Sequence, residues 1–447
     1  MSNFDIVIRG AQLVTAEKIE RADIGISGEK IAAIQTEISG GATMEITAEG
    51  LHIFPGAIDA HVHFNEPGRA DWEGIATGSN AVAAGGGTMF FDMPLNAHPP
   101  TLDAASFELK GAAAAQSSRV DFALWGGLTP ANLDTMEELA ECGVIGFKAF
   151  MCNSGIDDFL SVDTRTLREG MKRAAAVRLP VAVHAESDAM TSRLTQQAVA
   201  AGKTSVRDFL ACRPIAAELE AIKNAIELAR ETGCSLHIVH VSCAAGVRMV
   251  AEAAARGQDV TCETCPHYLV LTDEDMERLG PVAKCAPPLR PPSEQAELWR
   301  ELMAGRIHTI GSDHSPSPPS MKQGANFFQA WGGISGAQHL LPLLLTREID
   351  PSLAARVTSS NVAQRFQLPA SKGSLAVGSD ADLCLVDLHA NDEITSEELQ
   401  YRHRQSPYIG KRVSARVKQT FLRGKSILNN GALTGDPIGR LVKPVGR

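Results

Sequence analysis

The sequence predicts an α/β fold, a (β/α)8 barrel with a small β-sandwich domain built from both chain termini, on three observations. Eight short apolar stretches alternate with alanine-rich helical stretches through the middle of the chain. Both ends read instead as short alternating strands broken by glycine and polar turns. Metal-ligand residue types recur where the apolar stretches end, and the carboxyl ends of the strands form the face on which a closed barrel builds its site. The expected division is 1–52 for the first part of the small β domain, 53–370 for the barrel, and 371–447 for the second part and tail.

In chain order, Asp5-Ile-Val-Ile8 and Ile24-Gly-Ile26, separated from the next segment by Ser27-Gly-Glu-Lys30, open the small β unit. The barrel strand cores follow at Ala57–Val62, Thr88–Met93, Phe122–Trp125, Val144–Phe150, Val181–Ala185, Leu236–Val241, Val260–Thr264 and His308–Ser312. Helices are expected between them, for example over Glu218–Arg230 and Val247–Arg256, while Pro287–Pro292 and Pro316–Pro319 mark irregular loops. Asp382-Leu-Cys-Leu-Val386 and Arg416-Val-Lys-Gln-Thr-Phe-Leu422 return to the β texture, punctuated by Gly373, Gly378 and Gly424. Parallel strands joined by helices predict a TIM-type barrel, and periodicity by itself leaves a doubly wound open sheet as the alternative.

Composition narrows the function classes. With 42 Lys+Arg against 52 Asp+Glu the net charge is −10, and no basic run offers a footprint for nucleic acid. Hydrophobic residues at 44% against 21% charged supply a sizeable core and exclude disorder as the main state. No uncharged apolar stretch reaches the roughly 18 residues a membrane span needs, and Met1-Ser2-Asn3-Phe4-Asp5 lacks a secretory layout. A cytoplasmic protein with a small-molecule partner is expected. Nine scattered cysteines in a chain this long read as reduced thiols.

His61-Val62-His63 closes the first barrel strand, and residues two apart on a strand share a face, so both rings can reach one metal. His184, His240 and Asp313 end the fifth, sixth and eighth strands, which a closed barrel brings to the same mouth. Lys148 is a charged residue in the apolar strand Gly146-Phe-Lys-Ala-Phe150. His237, three residues before His240, is expected on the opposite strand face in a structural role. Asp59 shares the face of His61 and is expected to orient it or to pack a turn. His267 and His314 flank the site. Cys262-Glu-Thr-Cys265 has no second Cys-x-x-Cys partner and is not expected to hold zinc, and Gly85-Gly-Gly87 reads as a turn. Leu340–Leu345 reads as buried helix.

Asp59-Ala-His-Val-His63, Lys148, His184, His240 and Asp313 resemble, in order and across nearly the whole chain, the ligand set of the cyclic amidohydrolases of the amidohydrolase superfamily. That resemblance implies two divalent metal ions per subunit, with zinc expected and cobalt, manganese or iron acceptable to the same donors. It implies that Lys148 reacts with CO2 to give a bridging N6-carboxylysine. His61, His63 and Asp313 then hold one ion and His184 and His240 the other. A metal-bridging hydroxide is the implied nucleophile, with Asp313 as general base and then general acid. A homotetramer is also implied.

Two departures bear on the substrate. Dihydroorotases usually have Arg two residues after the second histidine, where this chain has Asn65; hydantoinases and dihydropyrimidinases usually have Tyr five residues after the lysine, where it has Asn153. The only tyrosines are Tyr268, Tyr401 and Tyr408. Asn65-Glu-Pro-Gly68, Asp92-Met-Pro-Leu-Asn96, Gly155-Ile-Asp-Asp158, Ser312-Asp-His-Ser-Pro316 and Ala330-Trp-Gly-Gly-Ile334 resemble instead the allantoinase group of that family. The substrate contacts so implied are Asn153 and the main chain of Ala286 and Trp331. The activity implied is hydrolysis of the hydantoin-ring amide of allantoin to allantoate, a step of purine catabolism. The alternatives are a hydantoinase or dihydropyrimidinase acting on other cyclic diamides, or a non-enzymatic scaffold of the same fold.

Overall fold

The computed structural model describes residues 4–347 and 349–445; Met1 to Asn3, part of the amino-terminal reading above, lie outside the described residues. Strands β1 (Phe4–Val14), β2 (Ile19–Ser27), β3 (Lys30–Gln35), β4 (Ala42–Thr47) and β5 (His52–Pro55) come first. The barrel strands are β6 (Ala57–Val62), β7 (Gly87–Asp92), β8 (Asp121–Leu124) with its continuation β9 (Gly126–Gly127), β10 (Phe147–Phe150), β11 (Val181–His184), β12 (Leu236–Ile238), β13 (Val260–Thr264) and β14 (Thr309–Ile310). The chain then adds β15 (Leu383–Asp387), β16 (Asp392–Glu393), β17 (Arg412–Val413), β18 (Arg416–Leu422), β19 (Lys425–Asn429) and β20 (Ala432–Leu433).

All ladders among the barrel strands are parallel. Two links close the ring. Ile145 N–H donates to Leu124 C=O and Gly126 N–H to Gly146 C=O, joining the third strand to the fourth at 2.9 Å each. Across the last seam Val62 bridges His314 in parallel, and His63 N–H donates to His314 C=O at 2.7 Å. The sheet is therefore a closed barrel and not an open doubly wound one, because its first and last strands bond to each other.

Some helices start at polar caps that precede apolar residues at helical spacing. The helix Thr164–Ala176 starts at Asp163, whose carboxylate accepts the Thr166 N–H, and buries Leu167, Gly170, Met171 and Ala174 on one face. The expected helices over 218–230 and 247–256 are found as Ile215–Thr232 and Ala244–Ala255. Leu340–Thr346 is a helix whose leucines are all buried. No helix among the described residues is long and apolar enough to cross a membrane. The nine cysteines are all free thiols.

The base of the barrel is plugged by Phe366, whose ring stands edge-on to Phe91, Trp125 and His237 at 5.2–5.3 Å between centroids. The terminal strands build one nine-stranded sheet. Hydrogen bonding runs through it without a break because β1 is long and bulged between Ile8 and Ala11: residues 4–9 pair with β4, and Gln12 and Leu13 pair with β5. Its core contains Ile8, Leu13, Ile24, Ile53, Leu383 and Phe421.

Charge ties this sheet to the barrel. Buried Lys372 meets Asp121 of β8 at 2.6 Å, Asp382 at 2.7 Å and Asp380 at 2.9 Å, and Arg423 of the β18–β19 turn pairs with the other oxygen of Asp121. Removing the lysine leaves Asp121 with Arg423 and Asp380 with Lys30, and takes from buried Asp382 its ion-pair partner. Lys372→Met is expected to cost about 3 kcal/mol, the low end for breaking a buried pair, read as a lower urea midpoint with unchanged metal content.

Candidate metal centre

The strands stop where the site begins. β12 ends at Ile238 although the apolar run continues to Val241, because His240 has φ +41°; the last strand likewise ends before Asp313, at φ +46°. A left-handed residue leaves the extended ladder and redirects its side chain. These two turns, with His61 and His63 from β6 and the loop after it, Lys148 from β10 and His184 from β11, gather six donors at the carboxyl mouth. His61 Nε2 and His63 Nε2 lie 3.2 and 3.5 Å from Asp313 Oδ1. The His240 ring lies 5.4 Å from that of His61 and 4.6 Å from that of His184, between centroids.

Burial sets the protonation of this cluster. It pushes the pKa of His63, His184 and His240 down, the last well down, so these imidazoles are neutral with lone pairs available. Asp313 is held well below the usual carboxylate range: burial works against this, but His61, His63 and His240 outweigh it. Lys148 is fully buried, and its Nζ has no hydrogen-bond partner. Burial lowers its pKa to about 8 against the fields of Asp313 and Glu263, and the Nζ sits 5.0 Å over the Phe150 ring. An ammonium in such a place is costly, so the amine form is accessible at neutral pH.

Two carboxylates behind the cluster were not anticipated. Glu263 accepts His61 Nδ1 at 2.7 Å, and Glu186 takes His184 Nε2 at 2.8 Å. Glu263 lies inside the Cys262–Cys265 string, where cysteine spacing drew attention from a charge buried in an apolar strand, the same signal that marks Lys148. It reaches His61 because Gly311 is between them: a Cβ there would lie 2.7 Å from Glu263 Oε2 and 2.9 Å from His61 Cβ. Opposing burial, His61 and His237 hold Glu263 down at about 2, and Arg213 and His184 do the same for Glu186.

His237 keeps its structural role, with Nδ1 2.7 Å from Thr261 Oγ1 and Nε2 3.9 Å from Glu263. It nonetheless faces into the barrel beneath the cluster and not away from it. Strict alternation from His240 does not carry back through a left-handed residue. Asp59 Oδ1 accepts the N–H of His61 at 3.3 Å and of Ser312 at 2.9 Å, tying the first strand to the last. His314 is used by the loops: its Nδ1 accepts the Gly336 N–H at 3.1 Å. Neither ring nitrogen of His267 has a hydrogen-bond partner, and burial lowers its pKa to about 4.

The five scattered strings meet above the cluster as one rim. Asp158 takes Arg69 Nη2 at 3.1 Å and His98 Nδ1 at 2.8 Å; Arg69 also donates to Asn96 C=O, and its guanidinium lies 5.6 Å from the Trp72 ring, which stands edge-on to Trp331 at 4.9 Å. Gly68 permits this closeness, since a Cβ there would lie 2.2 Å from His98 C=O. Asp92 accepts the Phe64 N–H at 2.8 Å and pairs with buried Lys110 at 2.7 Å, which fixes the chain just after His63. Asn65 is buried at φ +64°, a conformation asparagine tolerates, with Nδ2 on Pro316 C=O at 3.3 Å and Oδ1 without a hydrogen-bond partner.

The three expected substrate contacts differ. Asn153 is exposed, and its Oδ1 already accepts the Gly155 N–H at 2.8 Å. Ala286 is half-buried. The Trp331 N–H donates to Met321 C=O at 2.8 Å and its carbonyl accepts Lys322 Nζ at 3.3 Å, which leaves the buried indole Nε1 as its unpartnered donor. Lys284 Nζ, bonded to Phe327 C=O at 2.7 Å and to Ala330 C=O, pins the same loop.

A closed barrel that gathers four histidines, an aspartate and a solvent-excluded lysine at the carboxyl ends of its strands has the make-up of a metallohydrolase. The chain belongs to the amidohydrolase family, whose model matches residues 52–427. It is 54% identical to the allantoinase of Rubrobacter xylanophilus, over 99% of this chain and 98% of that protein, and 52% identical to the allantoinase of Deinococcus radiodurans, over 99% of each. Among solved structures it is similar to the L-hydantoinase (dihydropyrimidinase) from Arthrobacter aurescens, with a TM-score of 0.96, 34% identity, and coverage of 98% of this chain and 100% of that one. It also matches the dihydropyrimidinase from Brevibacillus agri, with a TM-score of 0.91, 31% identity and 98% of each chain covered.

Proposed function

We propose that the protein is an allantoinase, hydrolysing the hydantoin-ring amide of allantoin to allantoate. The enzyme class, a hydrolase of cyclic amides, follows from the family and its relatives. The observation that carries the mechanism is Lys148, a fully buried amine without a hydrogen-bond partner among four histidines and an aspartate.

These residues fit a pair of divalent ions. His61, His63 and Asp313 offer donor atoms within 4.8 Å of one another and would hold one ion; His184 and His240, whose ring centroids lie 4.6 Å apart, would hold the other. The Lys148 amine would add to CO2 through nitrogen and lose a proton, and the carbamate so formed would supply anionic oxygen donors to the ions. Zinc is the proposed metal. When bound, such a pair supplies a nucleophilic oxygen from water at neutral pH and polarises the scissile carbonyl. Asp313, kept ionised, accepts the proton released as the carbonyl is attacked and returns it to the departing ring nitrogen. Ala286 and Trp331 lie on the loops proposed to hold the ring, and the buried Trp331 indole N–H, which has no hydrogen-bond partner, is the donor proposed for a polar substituent. A homotetramer in the cytoplasm is the proposed setting, and sedimentation of the purified protein checks the assembly.

Substrate choice is tested by turnover of allantoin, hydantoin, dihydrouracil and dihydroorotate in parallel, at saturating metal and one pH. A site built to pair with the ureido group is left with unpaired buried polar atoms when a plain ring binds. Allantoin is expected to lead hydantoin in kcat/KM by about a hundredfold, the order that one or two lost buried hydrogen bonds produce. Dihydroorotate should fare worst, because no arginine stands at Asn65 to meet its carboxylate. If hydantoin or dihydrouracil leads, the enzyme is a hydantoinase or dihydropyrimidinase instead.

A further inference from the structure

The two proposed metal positions are backed differently. Each has one histidine tied to a buried carboxylate, His61 to Glu263 and His184 to Glu186, and one, His63 or His240, whose Nδ1 has no hydrogen-bond partner. The direct ion-pair contacts of Glu263 are with imidazoles, His61 and His237, among the described residues. Glu186 faces a cation as well. The Oε2 that meets His184 is also bound by Arg213 Nη1, and the Arg213 carbonyl accepts Arg290 Nη1 at 2.7 Å.

Arg290 continues the network beneath the neighbouring strand. Its Nη2 meets Glu218 at 3.0 Å and its Nε donates to Ser242 Oγ at 2.9 Å. Glu218 accepts both the N–H of Ser242, at 2.8 Å, and its hydroxyl. Ser242 is two residues beyond His240, so the carboxylate and guanidinium grip the segment that carries His240 at its left-handed φ. Such a conformation persists only where its surroundings over-determine it. Glu186, Arg213, Glu218 and Arg290 thus form a charge-balanced group, two anions and two cations, behind His184 and His240 and behind no other donor of the cluster.

We infer that this quartet is a positioning device for the His184–His240 metal position alone, and that it makes that position the weaker of the two. Glu186 accepts the Nε2–H of His184 and leaves Nδ1 as the ring's free lone pair, while Glu218 and Arg290 fix the backbone that aims His240. A carboxylate behind a ligating imidazole raises its basicity. Glu263 does so with no guanidinium bound to it among the described residues, whereas Arg213 cancels part of the effect of Glu186. The His61–His63–Asp313 position also has the direct carboxylate. The inference rests on the two-metal reading above.

The test is metal binding by the whole enzyme: stoichiometry by elemental analysis, stepwise release to a chelator, and the optical spectrum of the cobalt-loaded form. The wild type is expected to hold about two ions and to release them in two steps. Glu186→Gln and Glu218→Gln should each weaken only the more labile step, by about 10–100-fold, the usual effect of removing a ligand's supporting partner. The cobalt band of the retained ion should stay unchanged. Glu263→Gln should weaken the tighter step instead. Should the buried charge left by Glu186→Gln prevent folding, the neutral pair Glu186→Gln/Arg213→Met replaces it with the same expectation. Equal weakening of both steps, or no change in either, overturns the inference while the two-metal reading stands. A wild-type enzyme that retains fewer than two ions in metal-supplemented buffer overturns that reading, and the inference with it.

Discussion

Lys148→Ala is expected to abolish metal retention and activity together, with turnover below about one ten-thousandth of the wild type, a larger loss than the 10²–10⁴ that one proton-transfer group contributes. The expectation follows from placement. The lysine sits in the middle of β10, paired in register with Ala182, where an alternating apolar strand has no use for an ammonium. Its Nζ has no hydrogen-bond partner, so truncation breaks no hydrogen bond and the barrel should still fold. What is lost is the proposed shared donor. Elemental analysis of the purified variant should find neither ion, and short carboxylic acids added to the metal-supplemented variant should partly restore both metal and turnover by occupying the vacated volume. Native mass spectrometry of the wild type should find an increment of one CO2 per chain that disappears in the variant. An unmodified Lys148 in a fully metallated, active enzyme would refute the bridging role.

Asp313→Asn is expected to keep its shape and lose its chemistry. Asparagine tolerates the left-handed backbone at φ +46°, and the side chain is 14% exposed, so water can reach it. An amide cannot accept the proton that a carboxylate held in its ionised form can. With metal content verified at two ions, kcat should fall by about 10²–10⁴ while KM changes little, because the lost interaction belongs to the transition state. Near-normal kcat in a metal-replete Asp313→Asn enzyme would remove Asp313 from the proton path. The histidine substitutions should differ from it by losing metal first.

Much of this site was legible in the chain itself. Parallel strands with crossover helices announce themselves as apolar stretches separated by alanine-rich helices, and seven of the eight strand positions depend on nothing beyond that local pattern. The pair His61 and His63 needs only the strand period of two. Lys148 stands out because a charge in an apolar strand is expensive unless it is used. The five rim strings carry a resemblance although the sequence does not say that Arg69, His98 and Asp158 meet. The eighth strand was legible less fully: only Thr309 and Ile310 are in the ladder, because the chain turns left-handed at Asp313.

What the sequence determined by itself is the order of strands, the residue types that end them and the family these belong to, since each depends on spacing over a few neighbouring positions. What only the tertiary structure decided is which distant groups touch. Asp59 holds Ser312 from the opposite end of the barrel's stretch of sequence, Glu263 reaches His61 across the gap that Gly311 leaves, and His237 turns inward although alternation placed it outside. The quartet behind His184 and His240 is drawn from one helix and three loops with no shared spacing. A strand's period governs side chains only while the ladder lasts, and the ladder ends at the left-handed residues that build the site. Beyond that point direction is set by barrel closure and by buried charges finding partners, and neither is written in any short stretch of the chain.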